Sequence, residues 1–217
     1  MKKKIGILFD LDGTLLDTLE DLADAVNAAL NHFGCPARTL QEIRSMVGDG
    51  VRHLITQALP GREDDPDVDA VLAWYIPYYQ AHCQDKTKPY EGVQQALKTL
   101  QSRCPVAIVS NKPDKAVKTL CAQFFPGVHA QGQVDTCPRK PAPDMLHLTM
   151  RELGVETCVY VGDTEVDVLT AQNAGVPCVT VLWGFRDRQL LERSGAKHFC
   201  HTPDGLIESI ETISSSL

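Results

Sequence analysis

Residues 5–17 read IGILFDLDGTLLD. A short apolar run, 5–9, passes directly into Asp10, and further acids follow at Asp12 and Asp17. A continuous apolar run of this length, ended by turn-forming residues, is the pattern of a strand buried on both faces, as strands of a parallel sheet are. Two carboxylates two residues apart repel each other, so their closeness needs a reason. A bound cation supplies one, and so does a phosphate chemistry that uses a cation. Gly13, directly after Asp12, frees the backbone to turn so that amides can face an anion.

Similar runs recur at 106–109 (VAIV), 159–162 (VYVG) and 179–182 (VTVL), with a weaker one at 197–200 (KHFC). Helical patterns lie among them at 92–102, 114–124, 143–153, 165–174 and 203–213. This alternation predicts an α/β fold with a doubly wound parallel sheet, a Rossmann-like core whose ligands bind outside the carboxyl ends of the strands. Residues 17–89 break the alternation, because every pattern in them is helical: 18–33, 39–46, 50–59 and 67–83. The expected organisation is an α/β core of residues 1–16 and 90–217, with a small all-helical cap domain, 17–89, inserted after the first strand. The closing SSSL is expected to fray.

Composition narrows the function classes. The 217 residues carry a formal net charge of −7, which argues against non-specific nucleic-acid binding, since that leans on Lys and Arg contacts to phosphate. An anionic substrate must then be drawn in by local charge or a metal. No run approaches a membrane span. Lys2, Lys3 and Lys4 precede an apolar run that stops at Asp10, too short for a secretory signal, so a cytoplasmic location is expected. The eight cysteines form no C-x-x-C pair and match no zinc spacing, so they read as reduced, mostly buried thiols.

Four polar stations fall on this layout. Asp10 and Asp12 follow the first run. Ser110, Asn111 and Lys112 follow the run at 106–109. Lys140 sits in PRKPAPD, before a helix, and Asp163 and Asp167 sit in VGDTEVD after the run at 159–162. Taken singly, Ser110-Asn111 is an ordinary helix start; for Lys140, between prolines, the alternative to a site role is a solvated loop lysine. Parallel strands place all four at one edge of the sheet. There a carboxylate can attack phosphorus, Mg²⁺ suits the oxygen-rich donor set, and a second acid can move the proton of the leaving oxygen.

DLDGTL, SN, RKPAP and GDTEVD, in this order, resemble the four motifs of the haloacid dehalogenase-like superfamily of phosphohydrolases, and the resemblance spans nearly the whole chain. It implies Asp10 as nucleophile and Mg²⁺ ligand, and Asp12 as general acid and base with its carbonyl on the metal. It implies Ser110, the Asn111 amide and Gly13 around the phosphoryl group, and Lys140 against the nucleophile. Asp163 becomes a metal ligand, and Asp167 a support for the metal through water or by bonding Lys140. An acid at position 12 favours phosphoester over halide chemistry. The absence of lysine from residues 17–85 speaks against phosphonate hydrolysis by a cap lysine.

Softer stretches, TLEDLADAVNAAL, VGDGVRHLITQAL, TVLWGF and SGAKHFCHTPDGLIESI, resemble phosphoglycolate phosphatases. They imply hydrolysis of a small phosphorylated metabolite, 2-phosphoglycolate first, by a monomer or homodimer. Pyrophosphatases and sugar-phosphate phosphatases or mutases share much of the pattern. A receiver-type signalling domain would carry its acceptor on a later strand and no insert, and a silent binding protein would break a motif. In VGDGVRHL, Arg52 is either the partner of a substrate carboxylate or a surface charge at a helix start. Trp74, Tyr75, Tyr78 and Tyr79, at helical spacing, read mainly as packing or a subunit contact rather than ligand contacts.

Overall fold

The computed structural model describes residues 4–61 and 66–215. Lys2, Lys3 and the last two residues of the SSSL tail lie outside them. Six parallel strands form the core sheet: β1 (Ile5–Phe9), β4 (Val106–Pro113), β5 (His129–Gln133), β6 (Thr157–Gly162), β7 (Cys178–Val181) and β8 (His198–Cys200), in the order β5-β4-β1-β6-β7-β8. The intervening segments carry α5 (Val93–Gln101), α6 (Asp114–Phe124), α7 (Asp144–Leu153), α8 (Glu165–Ala174) and the short α9 (Arg188–Arg193). A 3₁₀ turn, Pro203–Gly205, then leads into α10 (Leu206–Ser214).

Alternate residues of the strands feed two apolar layers. Ile7, Phe9, Ile108, Val159 and Val161 join one core, whereas Leu8, Ala107, Val109, Cys158 and Tyr160 pack with Met145, Leu146 and Ala171 of α7 and α8. This period of two, apolar on both faces, is what a sheet covered by helices on each side requires. The chain builds from β1 outward to β5, then crosses back to β6 on the other side of β1. The carboxyl ends of β1 and β6 therefore flank the topological switch point, where such sheets bind ligands.

Between β1 and α5 the chain makes α1 (Leu19–His32), α2 (Leu40–Met46), α3 (Gly50–Ala58) and α4 (Val68–His82). It leaves and re-enters the core through a two-residue antiparallel ribbon of β2 (Leu16–Asp17) and β3 (Lys88–Pro89). Asp21 in α1 accepts from the backbone N–H groups of Lys86 and Thr87, at 2.8 to 3.1 Å, and so ties the two ends of the insert together.

Two elements were not legible beforehand. β5 is an edge strand, HAQGQ, in which only Ala130 and Gly132 are buried. β4 runs past Val109 to Pro113, so Ser110, Asn111 and Lys112 stand on buried extended backbone. All eight cysteines are free, five of them buried. No helix among the described residues is long and apolar enough to cross a membrane.

Candidate active site

Asp10 directly follows β1, and Asp163 and Asp167 follow β6, the neighbouring strand. Oxygen atoms of these three buried carboxylates lie within 4.8 Å of one another. Lys140, 1% exposed, projects into the cluster. Its ammonium lies 2.8 Å from Asp10 Oδ1, 2.7 Å from Asp167 Oδ1 and 2.8 Å from the Tyr160 hydroxyl. Burial disfavours the Lys140 charge, but Asp10 and Asp167 overcome that and hold the ammonium protonated above its ordinary range.

The three acids differ in setting. Asp167 sits in the first turn of α8, where its Oδ2 accepts from Thr164 N at 3.0 Å, Thr164 Oγ1 at 2.8 Å and Asp163 N at 3.2 Å. Burial works against its charge, but Lys140 and the Thr164 donors hold Asp167 below the ordinary carboxylate range. Asp163 accepts from Thr14 Oγ1 at 2.9 Å and Phe185 N at 2.7 Å, yet burial and the nearby Asp167 and Asp10 charges push it well up. Burial, opposed by Lys140 and reinforced by Asp167, pushes Asp10 up to about 7. Three acids against one ammonium leave a surplus of buried negative charge. An oxygen-ligated divalent cation fits such a set: among the described residues Asp163 makes no ion pair and only Oδ1 of Asp10 meets Lys140, whereas both oxygens of Asp167 are engaged.

Local backbone explains the close approach. Gly13 has φ +80°, and a Cβ there would be driven into the Asp163 carboxylate. A Cβ at Gly184 would meet Asp163, and one at Gly162 would meet Asp167. The Asn111 side chain orders the Lys140 loop. Its amide donates to Lys140 O at 2.9 Å while its Oδ1 accepts from Lys140 N at 2.8 Å.

Asp10, Asp12, Ser110, Asn111 and Lys112 form the polar floor of a cavity whose opposite wall comes from the insert: Leu22, Val47, Val51, Leu54, Tyr75 and Tyr79. Asp12 turns away from the other acids. Its Oδ1 accepts from Thr18 Oγ1 at 2.7 Å and from Lys112 Nζ at 2.6 Å. The insert is tied to the core around this cavity. Arg186 donates to Arg44 O at 2.9 Å and Val47 O at 2.7 Å, Arg44 donates to Gly184 O at 2.7 Å, and Asn111 Nδ2 donates to Gly48 O at 3.1 Å.

The structure thus brings Asp10, Asp12, Gly13, Ser110, Asn111, Lys140, Asp163 and Asp167 to one edge of the sheet. It does not bring Arg52 there. Arg52 is more than half exposed on α3 and pairs with Asp69 of α4, while its neighbours Gly50 and Val51 line the cavity. The α4 aromatics divide by face: Tyr75 and Tyr79 line the cavity, whereas Trp74 and Tyr78 stack with His32 and His82 on the outer side. Thr14 and Thr164 stand inside DLDGTL and GDTEVD, and Phe185 inside TVLWGF, without being singled out for a role; Tyr160 and Arg186 also support the site and lie outside the four motifs.

Residues 7–181 match the family model described as haloacid dehalogenase-like hydrolase. Over 189 residues the chain is 37% identical to a phosphoglycolate phosphatase of Xanthomonas campestris pv. campestris, covering 83% of this chain and 84% of that protein. Over 214 residues it is 34% identical to a phosphoglycolate phosphatase of Rhodobacter capsulatus, covering 94% and 96%. The crystal structure of a candidate phosphoglycolate phosphatase from Lactobacillus delbrueckii subsp. bulgaricus aligns with a TM-score of 0.86 at 37% identity, covering 97% of this chain and 99% of that one.

Proposed function

The chain belongs to the haloacid dehalogenase-like hydrolase family and is a phosphoric monoester hydrolase, and from that premise we propose that it hydrolyses 2-phosphoglycolate to glycolate and phosphate through an aspartyl-phosphate on Asp10. One observation carries the reading. The buried Asp10–Lys140–Asp167–Asp163 cluster opens, through Asp10, onto the cavity that Asp12, Ser110 and Asn111 also line.

The roles follow from position. Asp10, Asp163 and the Asp12 carbonyl would hold Mg²⁺, and Asp167 would act indirectly, since Lys140 and Thr164 already occupy its oxygens. When bound, the metal supplies positive charge against the substrate's phosphoryl oxygens. Lys140 keeps Asp10 aimed and adds charge beside it. A carboxylate oxygen of Asp10 attacks phosphorus, and the Ser110 hydroxyl and Asn111 N–H receive the transferring group. Asp12 gives its proton to the leaving oxygen and later takes one from the attacking water.

Residues 17–89 form the cap, with the apolar wall over the substrate's organic half and the Arg186 and Asn111 contacts holding it down. That wall offers few partners to the hydroxyls of a sugar, which favours a compact acid over a sugar phosphate. The name shared by the Xanthomonas and Rhodobacter relatives supports the same substrate.

Phosphate release from 2-phosphoglycolate, pyrophosphate, sugar phosphates and nucleotides, with Mg²⁺ and with chelator, tests the reading. A metal-dependent preference for 2-phosphoglycolate is expected. A peak on another compound discards the substrate, and metal-independent turnover discards the mechanism.

A further inference from the structure

We infer that Lys112 is a specificity-determining residue whose ammonium receives a carboxylate on the organic half of the substrate. The inference rests on the reading of the site above. Among the described residues that line the cavity, Lys112 is the only lysine or arginine, and its side chain is 2% exposed. Two contacts hold it in place: Asp12 Oδ1 at 2.6 Å, and the Tyr79 ring, whose centroid lies 4.7 Å from Nζ. An ammonium has three N–H donors, and among the described residues Asp12 accepts the only hydrogen bond from this one. Fixed donors with spare capacity in a cavity are what a charged ligand group seeks.

The surroundings sharpen the assignment. Tyr79 also lines the cavity, and its buried hydroxyl has no hydrogen-bond partner among the described residues. The rest of the insert wall is apolar, and Arg52 is engaged by Asp69 outside. Lys112 is therefore the one cationic side chain that an anion on the organic half meets among the described residues of the lining. Since Lys112 binds the side chain two residues from Asp10, that anion must stand within a few bonds of the phosphorus. The substrate class is a small phosphoester bearing a carboxylate one or two carbons from the ester oxygen.

The test compares wild type, Lys112→Met and Lys112→Arg, each checked for native melting, on two Mg²⁺-dependent esters: 2-phosphoglycolate and ethyl phosphate, which lacks the carboxylate. Calorimetric binding of 3-phosphonopropionate and propylphosphonate repeats the comparison without turnover. Loss of a desolvated charge partner predicts about a hundredfold fall or more for the carboxylated member of each pair in Lys112→Met, at least tenfold beyond the fall for the other member, with partial recovery in Lys112→Arg. Equal losses on both members would mean that Lys112 merely positions Asp12, and would overturn the inference. If wild type prefers an unrelated phosphoester, the substrate reading falls on its own, and the phosphonate pair still decides the role of Lys112.

Discussion

The ammonium of Lys140 lies 2.7 Å from Oδ1 of Asp167, and both side chains are sealed from solvent. Removing one member of a buried pair strands the other charge, which costs on the order of 3–5 kcal/mol. Asp167→Ala should lose stability of that order in denaturant melts. Its turnover should also fall, because Lys140 is then free to follow Asp10. A loss below about 1 kcal/mol would show that Asp10 alone satisfies the lysine.

Asp10→Asn should abolish turnover yet leave the fold intact. Burial and like charges disfavour ionised Asp10, pushing it up to about 7. A neutral amide escapes that penalty. At pH 8 the metal-free variant should therefore melt above metal-free wild type, a gain on the order of 4 kcal/mol. Near-wild-type rates would remove Asp10 from the nucleophile's role.

Metal dependence should track pH. A raised folded-state value means the folded protein binds more protons than the unfolded chain between about 4 and about 7. Metal-free stability therefore falls as pH rises through that window. Asp167, held low, acts in the opposite sense but only below the ordinary carboxylate range. A cation on Asp10 and Asp163 must displace protons, so a fixed Mg²⁺ concentration should raise the melting temperature more at pH 8 than at pH 6. An equal shift at both values would place the cation elsewhere.

Arg52, which the sequence singles out, and Arg186, which no motif announces, should part company. Arg52→Ala should leave kcat/KM for 2-phosphoglycolate within about twofold, since an exposed ion pair contributes little. Arg186→Ala removes the donors to Arg44 O and Val47 O and leaves Glu165 unpaired. It should speed hydrogen exchange in α2 and α3 and lower kcat/KM by tenfold or more, at roughly 1.5–3 kcal/mol for each charged hydrogen bond. Unchanged exchange would mean that the Asn111–Gly48 and Arg44–Gly184 bonds hold the insert unaided.

Much of this was legible because it is local. The runs at 5–9, 106–109, 159–162 and 179–182 became β1, β4, β6 and β7, and the four helical patterns of 17–89 became α1–α4. Strands apolar on both faces carry a strong signal. β5 carries little, since an edge strand with exposed polar residues has no continuous apolar run. α4 shows the other limit. Helical spacing put four aromatics on one helix, and only packing decided that Tyr75 and Tyr79 turn to the cavity while Trp74 and Tyr78 turn outward.

By itself, then, the sequence determined the parallel α/β core, the helical insert and the strand ends on which the acids, Ser110 and Lys140 stand, because short-range periodicity and turn chemistry suffice for those. The tertiary structure alone decided which charges meet. Lys112 finds Asp12 across a separation of 100 residues, Arg186 finds Val47 across 139, and Arg52 turns to Asp69. Such pairings depend on side chains from distant elements arriving at one buried point, where desolvation makes a partner obligatory, and no local pattern records that arrival.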